Sequence, residues 1–264
     1  MARKRTQDLP DLSALMLPRN EWMVAIEQAV LRRQQDALAA TPLPEQIAAK
    51  LAALIALNFV RTGQRLLEQD ISAALKVSRA PVREALRILE RDRLVEFQAR
   101  RGAMVPAPRA KDLNDVFDIR SQLYGMILHE EILEQHDDLV VLFDRHIPRI
   151  LTAADESVDA YAVATFLLNS EVAELSDNHI LADLLQSVSL QTLRYVRMAL
   201  AANPDTIRHN LKGWQALHEA IRNSDCTLAV DLARERIARV RTYAVKYLGS
   251  DAEEAEDRFV ETGA

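Results

Sequence analysis

The sequence predicts a mainly α-helical chain, and three observations carry that expectation. Almost half of the 264 residues are hydrophobic, whereas only 5% are aromatic and only six are glycine. Ala and Leu dominate the apolar set, a mix that favours helices over a sandwich of strands. From residue 112 onward apolar side chains recur at helical spacing, in segments punctuated by Asp, Asn and Pro. Runs of β type are confined to LVEF (94–97) and GAMV (102–105), separated by QARRG in the manner of a hairpin.

The elements follow in order. Residues 1–40 form an extension whose start, MARKRTQ, is basic without an apolar core behind it and reads as an arm. Within the extension Asn20 can cap a helix that places Trp22, Ile26, Ala29, Val30 and Ala37 at helical spacing. TPLPEQ (41–46) breaks it and starts a second helix, with Ile47, Leu51, Leu54 and Ile55 on one face, and RTG (61–63) turns the chain. QDISAALKVS reads as a short helix and a turn, followed by a helix from Ser78 to about Arg93. PAPR (106–109) is a stiff break and the expected boundary between domains at 41–108 and 109–250. Beyond it six helices are expected near 112–136, 138–155, 157–176, 179–202, 204–223 and 225–248, then a frayed acidic tail at 251–264. They make an antiparallel bundle of six or seven helices.

Charge divides the chain in the same place. The net charge is −6, yet residues 60–109 carry eleven Lys and Arg against six Asp and Glu, which leaves −11 elsewhere. A basic island in an acidic chain points to one module facing a polyanion. One cysteine, Cys226, fits a reducing, cytoplasmic setting, and no apolar run approaches the roughly 20 residues of a membrane span. No nucleophile–base set, phosphate-cradling glycine loop or zinc spacing is present, so no enzyme and no cofactor are expected. HEEILEQHDD (129–138) gathers His and acids but reads as a solvated helix end.

The island centres on VSRAPVREALRILERDRLV (77–95), which holds five arginines. Ser78 suits an N-cap, and Pro81 sits in the first turn, where its missing N–H costs nothing. Val82, Ala85, Leu86 and Leu89 share the packing face, while Arg79, Arg83 and Arg87 step by four along another. A short helix, a tight turn and a second helix with a basic outer face form a helix-turn-helix. Its second helix can enter a major groove about 12 Å wide and set arginine forks against guanine. Arg100 and Arg101 at the hairpin tip would complete a wing. An ordinary solvated helix face laced with ion pairs is the competing reading.

Residues 47–105, with VSRAPVREALRILE at their core, resemble the winged helix-turn-helix of the GntR family of bacterial transcription regulators. DLNDVFDIRSQLYGMILHEEI and the helical remainder are similar to the FCD-type sensing domain of its FadR subfamily. The resemblance implies that Arg79 and Arg83 read bases and that Gly102 lets the wing backbone approach the duplex. Arg65, Arg87, Arg100 and Arg101 are phosphate candidates, with Ser78 at the helix start. Two positions depart from the family pattern: the Pro-Gly turn is Thr62-Gly63, and the glycine after the recognition helix is Arg93.

Many members of the subfamily bind a divalent metal through one Asp and three His. Aligned through VAELSDNHIL and HEAIRNSDCTLA, those positions here are Thr165, Asn169, Trp214 and Arg236. No conventional metal site follows from this set. A guanidinium can instead bind a carboxylate bidentately, with Thr165 and Asn169 orienting it and Trp214 as a flat wall. Arg120, Tyr124, Arg194, Arg197 and His218 are further candidates. For Arg120 an interhelix salt bridge competes with a ligand role; for Arg194 and Arg197 a solvated face does, for His218 a surface contact, and for Trp214 plain core.

The expectation is thus a ligand-responsive repressor, a homodimer on a palindromic double-stranded DNA operator, released by a small organic acid. A ligand-blind architectural DNA-binding protein with a degenerate second domain is the alternative. A polar cavity at Arg236 and Asn169 favours the first, an apolar-filled one the second.

Overall fold

The structure, a computed structural model, describes residue 15 and residues 18–32, 41–98, 102–107 and 109–261, with side chains as far as residue 248. It divides into two compact units, residues 1–107 and 108–264.

In the first unit, helix α1 (Glu21–Arg32) is capped as the sequence suggests: the Asn20 Oδ1 accepts the Met23 N–H at 2.8 Å. It buries Met23, Ile26, Ala29 and Val30 and packs on α2 (Leu43–Ala56). Helix α4 (Arg79–Arg91) packs on α2 as well. Covered from two directions, α2 buries Ile47, Ala48, Ala49 and all of Leu51–Ala56 rather than the single stripe read from its sequence. A helix apolar all round needs such double cover. Around α1, Arg19 pairs with buried Glu27 at 2.8 Å, and the Lys50 ammonium donates to the Leu15 carbonyl at 3.1 Å. Ala37 falls outside the described residues.

A β-turn follows, closed by the Gln64 N–H on the Arg61 carbonyl at 3.1 Å, with Gly63 at φ +77° in its left-handed position. It leads into β1 (Arg65–Leu66), a two-residue strand the sequence reading did not anticipate. β2 (Glu96–Gln98) and β3 (Gly102–Met104) are the expected hairpin strands, and β3 is central in the antiparallel order β1-β3-β2. Between β1 and β2 run α3 (Glu68–Leu75), a turn through Lys76 in the left-handed region, and α4. The residues α4 buries are Val82, Ala85, Leu86 and Leu89, the face expected for it.

Helix α4 ends without a glycine. Arg93 takes φ +56°, its N–H bonds the Glu90 carbonyl and the Leu94 N–H reaches the Leu89 carbonyl, both at 2.9 Å. These two bonds, with Leu89 and Leu94 both buried, make a Schellman motif.

The second unit holds α5 (Ala110–Glu134), α6 (His136–Glu156), α7 (Val158–Leu175), α8 (His179–Ala202), α9 (Asp205–Arg222) and α10 (Cys226–Glu261). Breaks of one to three residues separate them, and side-chain caps fix several starts. Ser157 Oγ accepts the Ala160 N–H at 3.0 Å, Asn178 Oδ1 the Leu181 N–H at 3.1 Å and Asp225 Oδ1 the Leu228 N–H at 3.0 Å. Helix α10 packs on α5, α8 and α9, and α6 on α7 and α9. Its helix also runs through the segment expected to fray after 250, where Ala- and Glu-rich sequence offers no breaker.

Arg93→Gly is expected to stabilise the first unit by about 1 kcal/mol, because a side chain in the left-handed region costs about that much and glycine removes it. Chemical denaturation followed by circular dichroism measures this; an unchanged or lower midpoint would contradict the cap assignment.

Candidate functional site

Two groups of side chains stand out, one in each unit. In the first unit, Arg79, Arg83 and Arg87 lie exposed along α4. Arg83 is engaged, its Nε and Nη2 each donating at 2.9 Å to a different oxygen of Glu68, at the start of α3. This fork holds the Glu68 carboxyl below its usual range, the hydrogen bond from Arg83 being the largest cause. Arg79 makes no hydrogen bond or ion pair among the described residues and adds its charge to the field at Glu68. Arg87 donates to Glu90 at 2.7 Å and sits 4.1 Å over the Phe97 ring, which ties α4 to β2.

Ser78 occupies the N-cap position with extended backbone, yet its hydroxyl makes no capping bond. The reason lies in the sequence: the third helical residue is Pro81, which has no N–H to offer. Arg65 is exposed on β1, opposite Met104. Gly102 takes φ +77° at the start of β3, a conformation that side chains rarely adopt. Arg100 and Arg101 lie outside the described residues. Glu68 is the member the sequence reading missed. Its signal was a carboxylate at the start of α3, fifteen residues before Arg83.

In the second unit a cavity of about 40 Å³ opens among α5, α7, α8, α9 and α10. The structure brings Arg120 (α5), Thr165 and Asn169 (α7), Trp214 (α9) and Arg236 (α10) to its wall. Tyr161 and Asn210, each one helical turn before an expected residue, join them and were not foreseen. Helical spacing from Thr165 and Trp214 could have found both. Val196, Leu200, Ile237 and Val240 supply apolar lining. Among the described residues no Asp or Glu lines the cavity.

Two guanidinium groups therefore share an acid-free interior. Arg120 donates from Nη1 to Thr192 Oγ1 at 3.0 Å, while its Nε is buried without a partner. The hydrogen-bond partner of Arg120 is a neutral hydroxyl rather than a carboxylate. Arg236 lies over the indole of Trp214, 3.1 Å from the ring centroid, and its Nε is likewise buried and unpartnered. Burial pushes both guanidiniums down to about 10. Trp214 is fully buried, 6.4 Å from Phe143, so it is both core and wall. Thr165 turns its hydroxyl to the Ala162 carbonyl of its own helix at 3.0 Å.

The remaining candidates sit elsewhere. Tyr124 is buried one turn beyond Arg120, its hydroxyl unpartnered and its phenol pushed up to about 12 by burial, though it does not line the cavity. Arg194 is buried 6.0 Å over Tyr195, and Arg197 pairs with Asp159 at 2.5 and 3.1 Å. His218 stacks 6.1 Å from Phe143 and meets Asp144 at 2.6 Å in a cluster with Arg222. None of these three reaches the cavity wall, because each faces a neighbour outside it. Among the described residues no three His, Cys, Asp or Glu side chains are grouped as a metal would require, and no helix is long and apolar enough to cross a membrane.

Comparison with known proteins joins the two groups. Residues 43–105 match the model of the bacterial regulatory proteins of the gntR family, and residues 115–239 match the FCD domain. The chain is 27% identical over 153 residues to YdhC of Bacillus subtilis, an uncharacterised helix-turn-helix transcriptional regulator, covering 56% of this chain and 67% of that one. It is 32% identical over 95 residues to the gluconate operon transcriptional repressor of Bacillus licheniformis, covering 36% of this chain but only 39% of the relative. Among solved structures, McbR/YncC of E. coli superposes with a TM-score of 0.65 at 16% identity, covering 81% of this chain and all of that one. GntR from Rhodococcus sp. RHA1 gives 0.61 at 24%, covering 77% and 97%. These likenesses show the fold. With the basic α4 and the three-stranded sheet in its first unit and six helices in its second, the chain belongs to the GntR family of DNA-binding transcription regulators, in the subfamily that carries an FCD domain.

Proposed function

We propose that this regulator is a cytoplasmic repressor that binds a palindromic operator as a homodimer and leaves it when a small organic acid occupies the cavity between Arg120 and Arg236. One observation carries the effector side: two guanidiniums, that of Arg120 buried and that of Arg236 half-buried, face a cavity of mixed polar and apolar lining in which, among the described residues, no carboxylate lies. A carboxylate ligand supplies the missing countercharge through charge-assisted hydrogen bonds. The polar members of that mixed wall, Arg120, Tyr161, Thr165, Asn169, Asn210 and Arg236, favour sensing over a ligand-blind architectural protein. Half-sites on successive turns of a duplex call for a two-fold protein, and the relatives named as gluconate operon repressors favour repression.

On the DNA side, Arg79 and Arg83 read base edges, while Arg65, Arg87, Arg100, Arg101 and the uncapped Ser78 hydroxyl meet phosphates. The left-handed Gly102 lets the wing backbone come close. Glu68 holds the Arg83 fork extended off the helix, so base reading exchanges one bidentate partner for another. The effector changes operator affinity only by favouring one dimer arrangement over the other.

Four outcomes are expected. Arg83→Ala should cost about 1–3 kcal/mol on an operator recovered by selection from random duplexes and relax specificity at its base pair. Glu68→Gln should raise affinity for unrelated duplex, since it removes a negative charge beside the phosphates. Fluorescence anisotropy at two salt concentrations reads both, and unchanged operator affinity after removing Arg79 and Arg83 together would overturn the assignment. Because Thr165, Asn169, Trp214 and Arg236 offer neither imidazole nor carboxylate, a chelator should leave thermal stability and operator release unaltered. A stoichiometric transition metal bound in this cavity would contradict that. Finally, carboxylates should release the operator where their uncharged amides do not, and Arg236→Ala should abolish release while sparing operator binding. Equal response to the amides, or release by Arg236→Ala at the wild-type concentration, would refute the effector assignment.

A further inference from the structure

The cavity holds more positive charge than one carboxylate can answer. Arg120 and Arg236 come from helices at opposite ends of the unit's sequence, and each is near enough for Arg236 to disfavour the charge on Arg120. Among the described residues neither is paired with an acid: the groups acting on Arg120 are Tyr124 and Arg236, and those acting on Arg236 are Tyr161, Tyr124 and Arg239.

Packing and the Trp214 ring hold Arg236 in place. Gly213 on α9 has no Cβ, and one built there would fall 3.0 Å from the Arg236 Cγ and 3.1 Å from its Cδ. The stem therefore passes in close contact with α9, which sets the guanidinium on the Trp214 ring. Among the described residues Arg236 makes no hydrogen bond and no ion pair, so its fork of N–H donors stays uncommitted. Arg120 commits one donor, to the neutral Thr192 hydroxyl. A ligand with a single carboxylate satisfies one fork and leaves the other without a countercharge.

We infer that the cavity is built for a small dianion, one negative charge for each of Arg120 and Arg236. This rests on the effector reading above and sharpens it from an acid to a doubly charged one. Two carboxylates on a short chain and one inorganic dianion share the required chemistry.

The test uses the full-length chain carrying Trp22→Phe, which leaves Trp214 as the sole indole. Acetate, propionate and butyrate are titrated against malonate, succinate and glutarate, with inorganic phosphate as a separate arm, all at constant ionic strength. Indole fluorescence and thermal shift are the readouts. The dianions should half-saturate at concentrations at least about tenfold lower than the monocarboxylates, since a second charge-assisted pair forms. Arg120→Met should reduce the best dianion to the monocarboxylate level. Arg236→Met should remove the response while leaving the melting temperature of the free protein equal or higher, because a partly desolvated charge without a countercharge is gone.

A response to phosphate alone supports the charge count and assigns both charges to one group, which would refute the organic-acid reading. Equal affinity for mono- and dianions, lost in Arg236→Met, overturns the two-charge inference and leaves the acid effector standing. No response to any anion, or an undiminished one in Arg236→Met, overturns both.

Discussion

A guanidinium laid across an indole inside a helical bundle, with no carboxylate facing it among the described residues, sets the terms for the whole second unit. A buried ion without a countercharge carries a penalty of several kcal/mol, and Arg236, half-buried with its Nε enclosed, bears part of it. The contact of Arg236 with Trp214 returns only about 0.5–2 kcal/mol. The rest must come from the surrounding apolar packing, and the bundle supplies it generously: Phe117, Phe143, Leu185, Leu217 and Ile221 are all fully or almost fully buried. The core thus serves to hold a polar centre open and charged. Arg120 adds to the load, since its Thr192 partner is neutral. Such a centre is unfavourable for folding and suited to capturing an anion, the usual trade between stability and a binding site.

The DNA-binding unit solves an opposite problem, keeping arginines outside and ready. Glu68 orients Arg83, Phe97 and Glu90 together orient Arg87, and Pro81 leaves the Ser78 hydroxyl free of a capping role. The partners of Arg83 and Arg87 restrict those side chains, so each loses less conformational entropy on any further contact. The exposed pairs themselves add little to stability.

Much of this was legible in the sequence, for reasons that differ by element. The six helices of the second unit were readable because Ser157, Asn178, Asp225 and Pro204 mark starts by local chemistry. The packing face of α4 was readable from period alone. Strand β1 was not, since two residues carry no period and their pairing with β3 is long-range. The Ser78 cap failed because a favourable residue type met a proline three positions on. In the cavity, the family positions led to Thr165, Asn169, Trp214 and Arg236, and spacing could have added Tyr161 and Asn210. Which way His218 and Arg194 face was not legible, because residues on one helix a turn apart can serve different neighbours. The double cover of α2 was equally hidden, as nothing in its own sequence names α1 as a partner.

That cover has a practical meaning for anyone recombining regulators. The family match begins at residue 43, and a chimera cut there would look complete by alignment. It would nonetheless strip Met23, Ile26 and Val30 from the outer side of α2 and turn buried alanines and leucines into a sticky surface. The portable headpiece of this protein is therefore longer than its family outline. It starts upstream of Arg19, whose pairing with Glu27 closes the α1 seam, and ends at Ala107.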